Sequence, residues 1–240
     1  MSPAALILAS QSSGRLAALR AAGLRPVVDV SDVDEPAVLD ELARGRAHCG
    51  APGPTPAEQV LALARAKALD VARRSRPVGG ATTVVVGCDS MLEIHGQVVG
   101  KPRTDAAVRE RWAALAGATG VLYTGHSLVR LGEDGAEAAV AQTAEGVSST
   151  VVHFGSPTPE EVEAYIASGE PQWCAGAFTI DGYGGAFIEG VEGDPHGVVG
   201  ISLPLLRRLL AQLGVTWTHL WDLPSGGAQD GSARGADAPA

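Results

Sequence analysis

The stretch Thr82-Thr83-Val84-Val85-Val86-Gly87-Cys88-Asp89-Ser90 decides the fold predicted for this chain. Its first half is uncharged and β-branched, which is typical of a strand buried on both faces of a sheet. The run stops at Gly87 and is followed by the carboxylate of Asp89. Because ligands of open α/β sheets gather where strands end, Asp89 is a candidate functional residue. The alternative is an aspartate that only caps a turn.

A tight hairpin is predicted immediately after this strand. The segment from Glu93 to Val99 alternates around His95-Gly96, a pair suited to a two-residue turn. The hairpin brings Gly100-Lys101-Pro102 back toward the end of the strand where Asp89 lies. A carboxylate and a lysine brought together in this way suit a metal-bound polyphosphate.

Size and charge restrict the class of protein. A chain of 240 residues with 45% hydrophobic residues can bury one good core, as one large domain or two lobes. The formal net charge of -9 argues against non-specific nucleic-acid binding, which needs a basic face. A nucleotide substrate would therefore need a local cationic pocket.

The cysteines and the N-terminal segment indicate the compartment. Cys49, Cys88 and Cys174 form no C-x-x-C pair and fit a reducing environment, and Cys88 is predicted to be a small buried residue. The apolar run at residues 4–9 is too short for a signal peptide or a membrane span. These features predict a soluble, cytoplasmic protein with no membrane association. Residues 1–222 are expected to form a single two-lobed domain and residues 223–240 a disordered tail.

The first strand is expected to lead into an anion-binding loop. Residues 4–9 form the strand, and Ser10 to Arg15 connect it to a helix that Ser12 or Ser13 caps. Free backbone N–H groups and the positive end of the helix dipole can accept a phosphate there. Arg15 in the first turn is unfavourable for the helix dipole unless an anion binds. Capping alone also explains the serines, and the loop lacks the P-loop pattern.

Two further segments carry candidate ligands. Asp32, Asp34 and Glu35 follow a second strand and could hold a divalent cation, or they could form a solvated acidic turn before a helix. In the helix at residues 56–73, Lys67 falls within the apolar stripe. Its ammonium either extends to the surface or points into a cleft as a phosphate ligand.

The remaining elements follow from periodicity and turn residues. Residues 44–56 are predicted to be a loop or flap, and residues 133–135 a turn. The other expected helices are at residues 104–115, 159–167 and 198–213. The other expected strands are at residues 26–30, 121–131, 137–153, 180–182 and 186–188. The strand at residues 137–153 is expected to be interrupted near Gly146.

A series of short motifs resembles those of one family. They are Leu8-Ala9-Ser10-x-Ser12, Ser31-Asp32-Val33-Asp34-Glu35, Ala66-Lys67-Ala68, Gly87-x-Asp89-Ser90, Gly100-Lys101-Pro102, Tyr123-Thr124-Gly125, Ala164-Tyr165-x-x-Ser168-Gly169-Glu170-Pro171, Ala175-Gly176-Ala177 and Val198-Val199-Gly200-x-x-Leu203-Pro204-Leu205. Their order is similar to that of the Maf family, the septum-formation-inhibitor type of nucleoside triphosphate pyrophosphatase. The resemblance spans about residues 6–213.

This resemblance implies both a fold and a reaction. The fold is α/β, a two-lobed mixed twisted sheet flanked by helices with a central cleft, similar to inosine triphosphatases. The reaction splits a nucleoside triphosphate between its α and β phosphates, with a divalent cation, Mg²⁺ or Mn²⁺. By resemblance, Asp89 is the proton acceptor and a metal ligand, Glu35 is associated with the metal, and the phosphate-binding residues are Ser10, Arg15, Lys67 and Lys101. A homodimer is suggested by resemblance only.

Some positions depart from the family pattern. Gly14, Ser90 and Asp181 occupy the three specificity positions, so no base preference, including one for modified bases, transfers to this chain. Residues 194–197 read Asp-Pro-His-Gly in place of a more usual Ser-Tyr-Ser-Asn. This replacement would alter the lip of the cleft at His196.

Two other functions remain as alternatives. A phosphatase of the haloacid dehalogenase type would use Asp32 and Asp34 as nucleophile and acid, although Glu35-Pro36 does not fit that site. A nucleotide-sensing regulator of cell division would bind in the cleft with little turnover. The presence of a general base together with lysines disfavours a pure sensor.

Overall fold

The computed structural model describes residues 4–132 and 140–223. Within these ranges the chain forms seven strands and seven helices, with short 3₁₀ turns between them. The strands are β1 (Ala4–Leu8), β2 (Val27–Val28), β3 (Thr82–Ile94), β4 (Gln97–Val99), β5 (Thr119–Leu131), β6 (Val140–Phe154) and β7 (Ile188–Glu192). The helices are α1 (Ser13–Ala21), α2 (Glu35–His48), α3 (Pro56–Arg74), α4 (Asp105–Leu115), α5 (Pro159–Ala167), α6 (Pro195–Val199) and α7 (Leu203–Gln212).

One mixed sheet contains all seven of these strands. Its order is β2-β1-β3-β5-β6-β7, and β4 pairs with the far end of β3. Strand β1 runs parallel to β2 and β3, whereas the remaining pairs are antiparallel. The predicted α/β class, with a mixed sheet flanked by helices, is confirmed.

Strand β3 does not end at Gly87 as its sequence suggested. It continues to Ile94 because β5 supplies a continuous antiparallel partner from Val84 to Glu93. The neighbours on the other edge of β3 are shorter: β1 pairs with β3 only as far as Val86, and β4 pairs with β3 only from Leu92 onward. Residues 87–91 therefore have a strand on one side only, and Asp89 lies in this gap. The break that the sequence indicated belongs to β1 and β4, not to β3.

Helices cover both faces of the sheet. On one face α3 packs over Ile7, Val85 and Val129, and on the other α1 and α7 pack over a larger apolar cluster that includes Val84 and Val86. A third cluster around the fully buried Trp112 fills the far half of the sheet, where α4 and α5 pack. Among the described residues no helix combines the length and apolarity that crossing a bilayer requires.

Local capping explains most helix boundaries. The side chains of Ser12, Thr55, Thr104 and Thr158 each accept a backbone N–H at the start of a helix, as their residue types predict. The hairpin between β3 and β4 turns at His95 and Gly96, with φ of 50° and 73°. Positive φ at both turn positions matches the predicted two-residue turn.

Several predicted elements are wrong. Residues 44–48 belong to α2, so the flap predicted at 44–56 is confined to 49–55. The second strand shrinks from residues 26–30 to Val27–Val28, because β2 has only β1 as a partner. Strand β6 is continuous through Gly146, where the backbone pairs with His126 and a Cβ would lie 3.1 Å from Leu205 Cδ1. The glycine here allows Leu205 to pack and does not interrupt the strand.

Two errors concern the C-terminal part. Residues 180–182 lie outside the sheet and residues 183–187 form a 3₁₀ turn, so only Ile188 of the predicted strands belongs to a strand, β7. The helix predicted at residues 198–213 is two helices, because Gly200 has a φ of 111° and Ser202 caps α7. The break could not be recognised in the sequence, because the apolar periodicity continues from α6 into α7. The turn predicted at 133–135 and the tail from residue 224 onward lie outside the described residues.

Candidate active site

Two loops leave the sheet at the two ends of the gap beside Asp89. Strand β1 ends at Leu8 opposite Val86, so the Ser10 loop leaves the sheet at one end of the gap. Strand β4 runs antiparallel to β3 and ends at Val99 opposite Leu92, so the Lys101 loop leaves at the other end. The hairpin therefore returns Lys101 toward Asp89, as the sequence predicted.

Helix α3 covers one face of the gap because two glycines let it approach closely. A Cβ at Gly87 would overlap Ala64 O and lie 2.7 Å from Ala68 N. A Cβ at Gly125, which pairs with Asp89 in β5, would overlap Val60 O. Only glycine accommodates a helix backbone at this distance. Lys67 on α3 is thereby held against the strand that carries Asp89.

Lys67 joins two carboxylates. Its Nζ lies 2.6 Å from Asp89 Oδ1 and 2.6 Å from Glu35 Oε1. The side chains of Lys67 and Asp89 are only 11% and 13% exposed, whereas that of Glu35, at the first turn of α2, is 47% exposed. Of the two alternatives for Lys67, the ammonium points inward to the site and does not extend to the surface.

The pKa values of the two carboxyls move in opposite directions. Burial raises the pKa of Asp89 above its usual range, although the charges of Lys67 and Arg15 oppose this rise. Burial also disfavours the ionised form of Glu35, but the hydrogen bond and charge of Lys67, with the charges of Lys101 and Arg103, outweigh it. The net pKa of Glu35 is lowered. Burial therefore favours the protonated form of Asp89, whereas the surrounding cations favour the ionised form of Glu35.

Arg15 lies on the opposite face of the gap and is held by three neutral oxygens. Its Nε donates to Gly200 O at 2.8 Å, Nη1 to Ser10 Oγ at 2.9 Å and Nη2 to Ser90 Oγ at 3.2 Å. Ser10 Oγ also accepts the backbone N–H of Ser12 at 3.2 Å. Among the described residues no carboxylate pairs with Arg15. A half-buried guanidinium with only neutral partners can still bind an anion.

The Lys101 loop is anchored by its backbone. Gly176 N donates to Gly100 O at 3.2 Å, and Arg103 N donates to Gln172 O at 2.9 Å. Arg103 has a φ of 64°, an unusual conformation for a residue with a side chain. The Lys101 side chain is exposed and forms no ion pair within residues 4–132 and 140–223. Its charge nonetheless acts on Glu35.

The three positions predicted to set specificity have different surroundings. Gly14 lies in the first turn of α1, where a Cβ would be 3.3 Å from Val199 Cγ1. Asp181 is exposed and accepts from Thr179 Oγ1 at 2.5 Å. It borders a groove of about 460 Å³ between α1 and α6, which Val199 and His196 also line. Ser90 lies in the gap and binds Arg15, so it does not line that groove.

Sequence reasoning missed two side chains next to the site. Thr124 Oγ1 donates to Gly197 O at 2.8 Å, and His126 Nε2 accepts the Ser202 N–H at 2.8 Å. Both residues are fully buried in β5. The sequence does show two polar residues on one face of an otherwise buried strand, which indicates that they have polar partners. Those partners could not be predicted, because they are more than seventy residues away in the sequence.

The acidic segment before α2 contributes one carboxylate to the gap. Asp34 caps α2 by accepting from Ala37 N at 3.0 Å, and Asp32 is exposed. Among the described residues no three His, Cys, Asp or Glu side chains cluster closely enough to hold a metal ion alone. Glu35 and Asp89 supply hard carboxylate oxygens, and Mg²⁺ commonly binds one or two carboxylates together with substrate phosphates. This donor pair fits such an ion.

Cys88 is fully buried, as predicted, and burial raises the pKa of its thiol to about 11. A thiol with this pKa is a poor nucleophile at neutral pH. Its neighbour Asp89 is a carboxyl that can accept a proton, and burial raises its pKa.

The sheet and the gap define an α/β protein whose central strand presents a basic carboxylate among cations arranged for a phosphorylated ligand. Comparison with known proteins identifies the family: the chain belongs to the family described as Maf-like protein, whose model matches residues 5–213. A similar protein from Nocardia farcinica is 51% identical over 220 residues, 92% of this chain and 98% of the relative.

Two further relatives agree. One from Rhodococcus jostii is 50% identical over 215 residues, 90% of this chain and 95% of the relative. One from Salinispora tropica is 47% identical over 219 residues, 91% of this chain and 88% of the relative. All three are named nucleoside triphosphate pyrophosphatase.

Proposed function

We propose that this chain is a nucleoside triphosphate pyrophosphatase, an enzyme that hydrolyses the bond between the α and β phosphates to give a nucleoside monophosphate and pyrophosphate. The contact of Lys67 with both Asp89 and Glu35, at a gap flanked by the Ser10 and Lys101 loops, is the observation that carries the proposal. The names of relatives that share about half of its residues over most of the chain support the same activity.

The charges around the gap suit a triphosphate. The substrate carries about four negative charges, so an acidic protein must concentrate cations locally. Arg15, with Ser10, receives phosphate oxygens from one side of β3, and Lys67 and Lys101 receive them from the other side and the adjoining loop. The free N–H groups of Arg15 and the exposed ammonium of Lys101 need little rearrangement to bind an anion.

Asp89 acts as the general base. Lys67 hydrogen-bonds to Oδ1, which leaves Oδ2 to accept a proton from a water molecule. That water attacks the α phosphorus: its oxygen forms the new P–O bond, its proton passes to Asp89, and the bond to the bridging oxygen of the β phosphate breaks. Pyrophosphate leaves with the bonding electrons. The raised pKa of Asp89 makes it a better proton acceptor than an ordinary aspartate.

A divalent cation, Mg²⁺ or Mn²⁺, would be held by Glu35 and Asp89. When bound, such an ion neutralises charge on the phosphate oxygens. Ionised Glu35, whose pKa is lowered, is available as a ligand at neutral pH. Lys67 contacts both carboxylates and holds them near each other.

The nucleobase is read at the groove that Asp181 borders. Gly14 lets Val199, which lines the groove, pack close to the start of α1, and Asp181 offers a carboxylate to N–H groups of a base. Ser90 lies outside this groove and binds Arg15, which is a phosphate ligand in the proposed reaction. This assignment is tested by measuring turnover of a panel of natural and modified nucleotides by wild type and by Asp181→Asn. A changed base preference in Asp181→Asn is expected, and an unchanged preference would contradict the assignment.

The two alternative functions receive less support. A haloacid dehalogenase type of phosphatase needs Asp34 as a free acid, whereas Asp34 caps α2. A nucleotide-sensing regulator has no need for a proton acceptor beside a lysine. The cytoplasmic location, the absence of stable nucleic-acid binding and the homodimer remain predictions from the sequence.

Product analysis in ¹⁸O-labelled water tests the proposed reaction. Wild type is incubated with a nucleoside triphosphate and Mg²⁺ or Mn²⁺, and each product is examined by mass spectrometry. Attack at the α phosphorus places the label in the monophosphate and releases unlabelled pyrophosphate. Orthophosphate as the first product, or label in pyrophosphate, contradicts the proposal, and binding of the whole panel without turnover favours the sensing regulator.

A further inference from the structure

The orientation of Arg15 depends on a distant part of the chain. Its Nε donates to Gly200 O, a carbonyl that lies 185 residues further along. Gly200 forms the break between α6 and α7 with a φ of 111°, and a Cβ there would lie 3.1 Å from Arg15 Nε. The linker that carries Gly200 therefore packs directly against the guanidinium, and any movement of this linker would move Arg15.

Two buried side chains of β5 fix that linker on both sides of Gly200. Thr124 Oγ1 donates to Gly197 O at 2.8 Å before it, and His126 Nε2 accepts the Ser202 N–H at 2.8 Å after it. Because Nε2 accepts, the ring proton is on Nδ1, which donates to Thr124 O at 3.1 Å. His126 is thus neutral and held in one tautomer.

Thr124 also fixes the third acceptor of Arg15. Its single hydroxyl proton goes to Gly197 O, so Thr124 Oγ1 accepts the proton of Ser90, which lies 2.9 Å away. Ser90 Oγ is then left to accept from Arg15 Nη2 at 3.2 Å. Two of the three oxygens that hold the guanidinium therefore depend on β5, one through Ser90 and one through the linker.

We propose that Thr124 and His126 are positioning residues for the reaction, acting through Gly197–Ser202 and Ser90 to hold Arg15 where it binds the triphosphate. This inference rests on the proposed function, in which Arg15 is a phosphate ligand. It assigns a role to two residues that neither bind phosphate nor transfer a proton.

A double-mutant cycle with Arg15 tests the proposal. His126→Leu and Thr124→Val are each made alone and together with Arg15→Ala, and kcat/KM for pyrophosphate release is measured. Each single change is expected to lower kcat/KM at least 10-fold when Arg15 is present. In the Arg15→Ala background the same changes are expected to cost less than 2-fold, because the group they position is gone.

Conservative variants separate positioning from folding. His126→Gln keeps an acceptor for Ser202 N–H and Thr124→Ser keeps the hydroxyl, so both are expected to recover most of the activity. Thr83→Val is the matched control, since Thr83 is buried in the same sheet and binds Val78 N and Ala81 O away from the site. It is expected to lower the melting temperature and leave kcat/KM within 2-fold. If His126→Leu fails to fold, the cycle of Thr124→Val with Arg15→Ala, with Thr124→Ser as the conservative variant, tests the proposal.

The failures of the two proposals are distinguishable. Equal losses with and without Arg15, or no recovery in the conservative variants, overturn the positioning role while wild type still releases pyrophosphate. A wild-type enzyme that releases no pyrophosphate from any nucleotide overturns the proposed function itself.

Discussion

Lys67 Nζ lies 2.6 Å from Asp89 Oδ1 in a part of the gap where both side chains are nearly buried. The ion pair keeps Asp89 available as a carboxylate although burial raises its pKa. Lys67 thereby lowers the cost of the buried negative charge, and in the proposed reaction it also supplies positive charge for phosphate oxygens.

Lys67→Met is expected to shift the pH dependence of turnover. The proposed mechanism needs Asp89 ionised, so kcat is expected to fall as pH falls through its pKa. Loss of the Lys67 charge raises this pKa further, which moves the acid limb to higher pH, and kcat at neutral pH falls about 10- to 1000-fold. Arg65→Met on the same helix, which breaks an exposed pair with Glu145, is the control and leaves the limb in place. An unmoved acid limb in Lys67→Met would mean that Asp89 is not the titrating base.

Gly87→Ala is expected to separate α3 from the sheet. A Cβ there would overlap Ala64 O, a backbone atom that cannot rotate away. We expect a loss of about 1–3 kcal/mol of unfolding free energy, with a loss of activity because Lys67 moves from Asp89. Gly190→Ala in β7 is the matched control, since its nearest neighbour, His153 Cδ2, lies 3.9 Å away. Urea unfolding and kcat for both variants check the prediction, and normal values for Gly87→Ala would refute it.

Arg15→Lys is expected to lower kcat/KM about 10-fold or more although the charge is kept. The guanidinium reaches Gly200 O, Ser10 Oγ and Ser90 Oγ through three nitrogens in a fixed plane. An ammonium cannot reproduce this arrangement. Arg20→Lys, near the end of the same helix, serves as the control. Full activity of Arg15→Lys in steady-state assays would show that charge alone suffices.

His126 is expected to make the fold sensitive to acid. Burial lowers the pKa of its imidazole from 6.5 to about 4, with Thr124 O opposing and Arg15 assisting the shift. Between these values the unfolded chain binds the proton and the folded chain does not, so this contribution to stability is complete above 6.5 and lost as pH falls toward 4. The loss amounts to about 3 kcal/mol.

Urea unfolding of wild type and His126→Gln at several pH values checks this contribution. The difference in unfolding free energy between the two proteins should change between pH 6.5 and about 4. Only the contribution of His126 differs between them, since their carboxylates titrate alike. A difference that does not vary with pH would show that His126 already titrates normally in the folded protein.

Local chemistry made much of the site predictable. A charged residue inside an apolar helical stripe marked Lys67, and a two-residue turn at His95-Gly96 brought Lys101 back to Asp89. The parts that could not be predicted depend on non-local contacts. Gly200 breaks an apolar pattern that remains periodic on both sides, and the partners of Thr124 and His126 become neighbours only when α6 and α7 pack on β5.

The end of β3 shows the same limit. Its length depends on β5, which follows later in the chain, whereas Gly87 marks the approach of α3. Sequence reasoning interpreted the glycine as a strand end. It nevertheless selected Asp89, because the neighbouring strand β1 does end there.

The most direct test of the central claim is the turnover and nucleotide binding of Asp89→Asn, with Asp32→Asn as the matched control on an exposed carboxylate. Asparagine keeps the shape of the side chain but cannot accept the proton of the attacking water. We predict that Asp89→Asn loses about 100-fold or more in kcat for pyrophosphate release and still binds the nucleoside triphosphate, while Asp32→Asn keeps wild-type turnover. Near wild-type kcat for Asp89→Asn, or a loss confined to Asp32→Asn, would contradict the assignment of Asp89 as the base.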